Sequence, residues 1–169
     1  AGPVSALIVT AELGTEDFAW FDAQRRRYFP PERNVLAAHL TMFHALPPSA
    51  EEEARRLLAR LAAEPAPVVR VGGLMNLGRG VAYRIVSHDL ERVRAEIVHH
   101  FQGMLTAQDA QGWRPHITVM NKAEPSAART VLRHLEAEFQ PRPLAISGLA
   151  LHRYLGGPWE RLGTWKFRG

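Results

Sequence analysis

The chain has 169 residues, 46% of them hydrophobic and 22% charged, with a formal net charge of +4 and no cysteine. That length supports one well-buried core and is short for two independent ones, so residues 1–169 are expected to form a single domain. The lack of cysteine excludes disulfide frameworks, thiolate nucleophiles and Cys-based zinc sites. No apolar run approaches the roughly 20 residues of a membrane span.

Nearly all the basic charge is arginine; Lys122 and Lys166 are the only lysines. Arginine suits bidentate recognition of phosphate, although an Ala- and Arg-rich composition also follows from genome base composition. The balance permits an anionic partner without naming one. The apolar start at Val4–Val9 is too short for a signal-peptide core, and Ala1-Gly2-Pro3 lacks an initiator Met, which suggests processing. A cytoplasmic location is the default expectation.

In chain order, Val4–Thr10 reads as a strand. Thr15 is the expected N-cap of a helix that carries Glu16 and Asp17 in its first turn and stops before Pro30. Ala37–Leu46 is a second strand. Ser49-x-x-Glu52 has the form of a capping box, ahead of a helix with Leu57, Leu58 and Leu61 on one face. Val68–Leu77 and Val81–Ser87 read as strands joined by Gly78-Arg79-Gly80. Asp89 is the expected cap of a helix with Leu90, Val93, Ile97, Val98 and Phe101. A polar loop, 106–112, leads to a strand at His116–Asn121. Ser126 starts another helix, which ends at Pro141. Leu144–Leu155 reads as one strand, and Gly156-Gly157-Pro158 turns it into a last one, Trp159–Phe167.

The order strand-helix-strand-helix-strand occurs twice. Val4 and Val81, His39 and His116, and Ser49 and Ser126 are all 77 residues apart. The repeat halves run from about 4 to 78 and from 80 to 155, with 159–167 as an added strand. A repeat of this size predicts two lobes sharing a core and related by a pseudo-twofold axis. Matching positions can then meet at the lobe boundary.

The matching positions carry chemistry. His39-Leu40-Thr41-Met42 and His116-Ile117-Thr118-Val119 each place one imidazole and one hydroxyl on the same face of a strand, with the apolar residues opposite. Two imidazoles can divide the work of activating a nucleophile and protonating a leaving oxygen. Each threonine hydroxyl can donate to a phosphate oxygen as charge develops there. Such a set suits phosphoester chemistry.

On these motifs the chain resembles the two-histidine (2H) phosphoesterases, which include the bacterial RNA 2′,3′-cyclic phosphodiesterases also called 2′-5′ RNA ligases. The resembling segments are His39-Leu40-Thr41-Met42 and Pro115-His116-Ile117-Thr118-Val119. The resemblance implies an α+β fold with antiparallel sheets, flanking helices and a central cleft. It also implies that His39 is the proton donor and His116 the acceptor, a division that spacing cannot make. The implied reaction is hydrolysis of a 2′,3′-cyclic phosphate, on an RNA end or a small nucleotide, to a 2′-phosphate, with 2′-5′ ligation as the reverse. A monomer without cofactor is expected. The alternatives are an RNA-binding module without turnover, and a phosphodiesterase of the same family acting on linear oligonucleotides or a non-RNA cyclic phosphate.

Arg114 and Tyr83 are further candidates for substrate contact. His44 is five residues from His39, an odd separation that puts it on the opposite face of a regular strand. His99 and His100 fall at a helix C-terminus, where positive charge suits the dipole, and His152 is assigned to core or surface. No metal site is expected: there is no His-Glu-x-x-His motif or acidic triad, and threonine is a poor zinc ligand. No GxxxxGK[ST] loop occurs, which excludes a P-loop nucleotidase.

Overall fold

A computed structural model describes residues 4–168; Ala1-Gly2-Pro3 and Gly169 lie outside the described residues. The elements are β1 (Leu7–Leu13), α1 (Thr15–Tyr28), β2 (Leu40–Leu46), α2 (Glu51–Leu61), β3 (Val69–Asn76), β4 (Val81–Val86), α3 (His88–His100), α4 (Ala107–Ala110), β5 (His116–Met120), α5 (Pro125–Glu138), β6 (Arg142–Leu144), β7 (Ile146–Tyr154) and β8 (Trp159–Lys166). The strands form two four-stranded antiparallel sheets, ordered β2-β1-β7-β8 and β5-β4-β3-β6. The fold is α+β.

The repeat halves do not coincide with the sheets. β3 comes from the first half but pairs with β4 of the second, and β7 comes from the second half but pairs with β1 of the first. Each half thus lends its last long strand to the other. One apolar core runs through both sheets, from Leu7, Val9 and Leu151 to Val71, Ile85 and Ile117. α2 packs against β7 and β8, and α5 against β3 and β4.

The exchange explains a difference from the expected Leu144–Leu155 strand. The segment breaks at Ala145, with β6 in one sheet and β7 in the other. Ala145 satisfies its backbone on the start of α1: its N–H donates to Asp17 Oδ2 (2.8 Å), and its carbonyl accepts from Gly14 N–H (2.8 Å). A Cβ on Gly14 would lie 2.9 Å from the Ala145 Cβ, so only glycine fits. Gly14, not Thr15, is therefore the N-cap of α1, and no side chain caps it.

Other caps differ from expectation too. Pro48–Ala50 form a 3₁₀ turn that runs into α2, so the Ser49–Glu52 capping box does not form. Ser87, not Asp89, caps α3, accepting from Leu90 N–H (3.0 Å), while Asp89 accepts from Val68 N–H (2.8 Å) and ties the start of β3 to the helix. Glu124 precedes α5, with Pro125 in its first turn. Within the expected loop 106–112, Thr106 caps the short α4.

Candidate active site

β2 and β5, the two motif strands, are both edge strands, and they approach one another between the sheets. His39 lies one residue before β2, and His116 is the first residue of β5. Both line one cavity of about 510 Å³, together with Thr41 and Thr118.

The two histidines are anchored alike. His39 Nδ1 lies 2.8 Å from the Ala37 carbonyl, and His116 Nδ1 lies 2.7 Å from the Arg114 carbonyl. A carbonyl oxygen can only accept, so Nδ1–H donates in both cases. That fixes the tautomer and leaves Nε2, on the far side of each ring, to exchange protons. The His39 pKa is pulled down to about 4. Desolvation is the main cause, the Ala37 hydrogen bond opposes it, and the nearby Arg25, His152 and His116 add to it. In the free cleft His39 is therefore neutral at neutral pH.

Both strands bulge at matching places. Thr41 pairs with Thr10 and Phe43 with Val9, which leaves Met42 as an extra residue; Thr118 pairs with Ala82 and Met120 with Val81, which leaves Val119 extra. Met42 and Val119 are also 77 residues apart. A bulge shifts the alternation by one residue. His44 therefore returns to the cleft face, contrary to the odd-spacing argument, and lines the cavity with its repeat counterpart Asn121. The consecutive apolar pairs Met42-Phe43 and Val119-Met120 are the sequence trace of the bulges.

Carbonyls at the bulges are satisfied by side chains from other elements. Trp113 Nε1 donates to the Thr41 carbonyl (3.1 Å), Arg94 Nε to Met42 (3.2 Å) and Arg25 Nη1 to Thr118 (3.0 Å). Asp109, 1% exposed, closes the free edge of β2. It accepts from His44 N–H (2.8 Å), Ala45 N–H (2.9 Å) and His44 Nδ1 (3.2 Å). Desolvation would raise its pKa, but these hydrogen bonds outweigh burial and hold the carboxyl below its ordinary value. Sequence reasoning missed Arg25, Arg94 and Asp109, which lie on helices with no motif around them.

The lining is strongly cationic. Arg25, Arg33, Arg94, Arg114 and Lys122 contribute, against Asp109 as the one carboxylate. Arg114 lines this cavity. Tyr83 does not. It pairs with Ile117, and residues opposed across a ladder share a face, so it points into the core while Thr118 points to the cleft. Tyr83 is buried, packs edge-on to Trp20 and Phe21, and donates to Gln24 Oε1 (2.7 Å). Burial pushes its hydroxyl up to about 12. His152 is also buried, within hydrogen-bond reach of the Thr10 hydroxyl (2.9 Å). Among the described residues, no group of three or more His, Asp or Glu side chains gathers as a metal site. Nor is any described helix long and apolar enough to cross a membrane.

A family model described as the 2′-5′ RNA ligase superfamily matches residues 14–158. No curated protein sequence matches the chain. Solved structures resemble it over their full length. TT0787 of Thermus thermophilus is 19% identical with a TM-score of 0.65, covering 97% of this chain and 98% of that one. A structure described as a phosphoesterase is 16% identical with a TM-score of 0.64, covering 99% and 100%. Escherichia coli LigT, crystallised with 3′-AMP, is 18% identical with a TM-score of 0.61, covering 99% and 100%. At these identities the structures speak for the fold, and the family match speaks for descent. The chain belongs to the 2′-5′ RNA ligase superfamily, a family of two-histidine phosphoesterases and RNA ligases.

Proposed function

We infer that the chain is a cytoplasmic, monomeric phosphodiesterase that opens 2′,3′-cyclic phosphates, on RNA ends or small nucleotides, to 2′-phosphates. The same groups would run the reverse, 2′-5′ ligation, by microscopic reversibility. The observation that carries this is the pair of Nδ1-anchored histidines lining one cationic cavity with two threonines. LigT structures with 3′-AMP and with phosphate support a nucleotide phosphate as the occupant of this fold.

In this mechanism neutral His116 takes a proton from water through Nε2. His39, protonated at Nε2, gives a proton to the leaving 3′ oxygen. Thr41 and Thr118 donate to the non-bridging oxygens, and the surrounding arginines stabilise the charge that grows there. The low pKa of free His39 means that it must gain its proton with the substrate. A phosphate anion between the threonines favours the imidazolium and raises that pKa.

The test is a panel of 2′,3′-cyclic mononucleotides and cyclic-ended oligoribonucleotides assayed with EDTA. Turnover to 2′-phosphates in chelator is expected. Binding without turnover of any member would favour an RNA-binding module, and activity restored only by added metal would sink proton transfer between two histidines as the whole mechanism.

A further inference from the structure

Outside the reactive cavity, one sheet face carries positive charge that no acidic group balances. Across the β4–β5 ladder Arg84 is the direct partner of His116, and across the β3–β4 ladder it opposes Gly73. Opposed residues share a face, so Arg84 stands on the same side of the sheet as His116. Arg70 opposes Val86, two residues from Arg84 on β4, and is on that side as well. The intervening Val71, Tyr83 and Ile85 are buried in the core on the other side. Both arginines are exposed, and neither lines the cavity.

The backbone is shaped around them. β3 bulges at Gly72, because Val71 pairs with Ile85 and Gly73 with Arg84. Neither glycine has a side chain, and Arg84 fills the space. It reaches across to β3 and donates from Nη2 to the Gly72 carbonyl (2.8 Å). A Cβ on Gly73 would lie 2.7 Å from that same Nη2. A Cβ on Gly72 would have Arg84 Nη1 at 3.2 Å and Arg70 Nη1 at 3.5 Å. Two guanidinium groups thus converge over one glycine. Among the described residues, neither has a carboxylate within ion-pair distance. The matching place in the other sheet is balanced. Thr10 opposes Thr41 as Ala82 opposes Thr118; two residues on, Glu12 corresponds to Arg84 and forms an ion pair with Arg161. Arg84 and Arg70 repel each other, and an anion between them turns that repulsion into attraction.

We propose that Arg84 and Arg70 form a second phosphate site, which holds an upstream phosphate of an RNA strand whose cyclic end lies in the cavity. This rests on the assignment of the cavity to a nucleotide phosphate, and it ranks the substrates: RNA ends use both sites, and mononucleotides use the cavity alone. The ladder puts β3 about 10 Å from β5, two strand spacings. A strand that leaves the cavity past His116 and crosses β4 therefore carries its next phosphates over the arginines. Each guanidinium fork can take two oxygens of a phosphate at once.

Binding of reaction products tests this, because they are not turned over. The probes are a short oligoadenylate ending in a 2′-phosphate and adenosine 2′-phosphate, titrated by calorimetry at several salt concentrations. The oligomer is expected to bind tighter than the mononucleotide at low salt. Arg84→Gln combined with Arg70→Gln should weaken the oligomer about tenfold, the sum of two exposed ion pairs, and leave the mononucleotide unchanged. The slope of log affinity against log salt for the oligomer should fall by about 0.7, the loss of one phosphate contact on a single strand. Turnover of a 2′,3′-cyclic mononucleotide should also be unchanged. Equal weakening of both probes, or undiminished oligomer binding in the double variant, would overturn the second site. A selective loss of oligomer binding in a protein whose wild type turns over no cyclic phosphate would support the site and overturn only the catalytic assignment.

Discussion

The two motif strands are near copies, and their differences are as instructive as their likeness. β2 and β5 share the histidine anchor, the threonine, the bulge and the return of the fifth residue to the cleft. They differ in surroundings. His39 sits desolvated against Trp159, and the edge of β2 that follows it is closed by the buried Asp109. His116 lies among Arg114, Asn121 and Lys122, where Lys122 adopts a left-handed backbone (φ 58°) as the chain leaves β5. Duplicated geometry supplies two imidazoles anchored alike at Nδ1; the surroundings of one of them, His39, desolvate it and hold its pKa below the ordinary imidazole value.

The largest effects should come from the histidines. His39→Ala and His116→Ala should each lower kcat by about 10²–10⁴-fold, the range for a positioned acid or base. Their residual pH profiles break the symmetry. If His116 is the base, the remaining turnover of His39→Ala rises with pH, and that of His116→Ala falls. The opposite slopes would exchange the roles. Folded variants with near wild-type kcat would refute both assignments.

Next is Asp109→Ala, which strips two buried N–H groups of the β2 edge of their acceptor. A loss of about 3 kcal/mol in urea unfolding is expected, because a buried donor without a partner pays its full desolvation cost. A loss below about 1 kcal/mol would mean that water replaces the carboxylate.

Thr41→Val and Thr118→Val keep shape and remove one donor each. Each should cost ~1–3 kcal/mol of transition-state stabilisation in kcat/KM. Equal losses would mean that the duplicated threonines grip equivalent oxygens; a loss confined to one would place the phosphate against a single strand.

The smallest effect is Tyr83→Phe. It removes the hydrogen bond to Gln24 and should cost about 1 kcal/mol of stability with kcat/KM unchanged. A marked loss of activity in a fully folded variant would bring Tyr83 back toward the cleft.

Much of this site was legible in the sequence because the repeat keeps its spacing where chemistry demands it. The 77-residue offset aligned both histidines and both threonines, and the bulges follow it as well. What was not legible depends on register and on partners distant in sequence. The face of Tyr83 follows from its pairing with Ile117, which alternation within β4 cannot reveal. His44 looked misplaced because a bulge is invisible to a count of two. Asp109 gave no motif, since its partners are backbone amides more than sixty residues away. The cap at Gly14 reflects the close approach of Ala145, a contact between opposite ends of the chain.

The strand exchange also sets an order of assembly. The sheet containing β5 is drawn from one continuous stretch, 69–144, whereas the sheet containing β2 needs both ends of the chain, with Thr10 opposite Ala150. Pairings of such sequence separation close slowly, because the loop entropy is spent before the contacts form. As the chain leaves the ribosome, the β1–β2 pair therefore waits with the β1 edge and its Leu7 and Val9 uncovered until β7 emerges. That waiting pair is the segment of this protein most exposed to aggregation during synthesis.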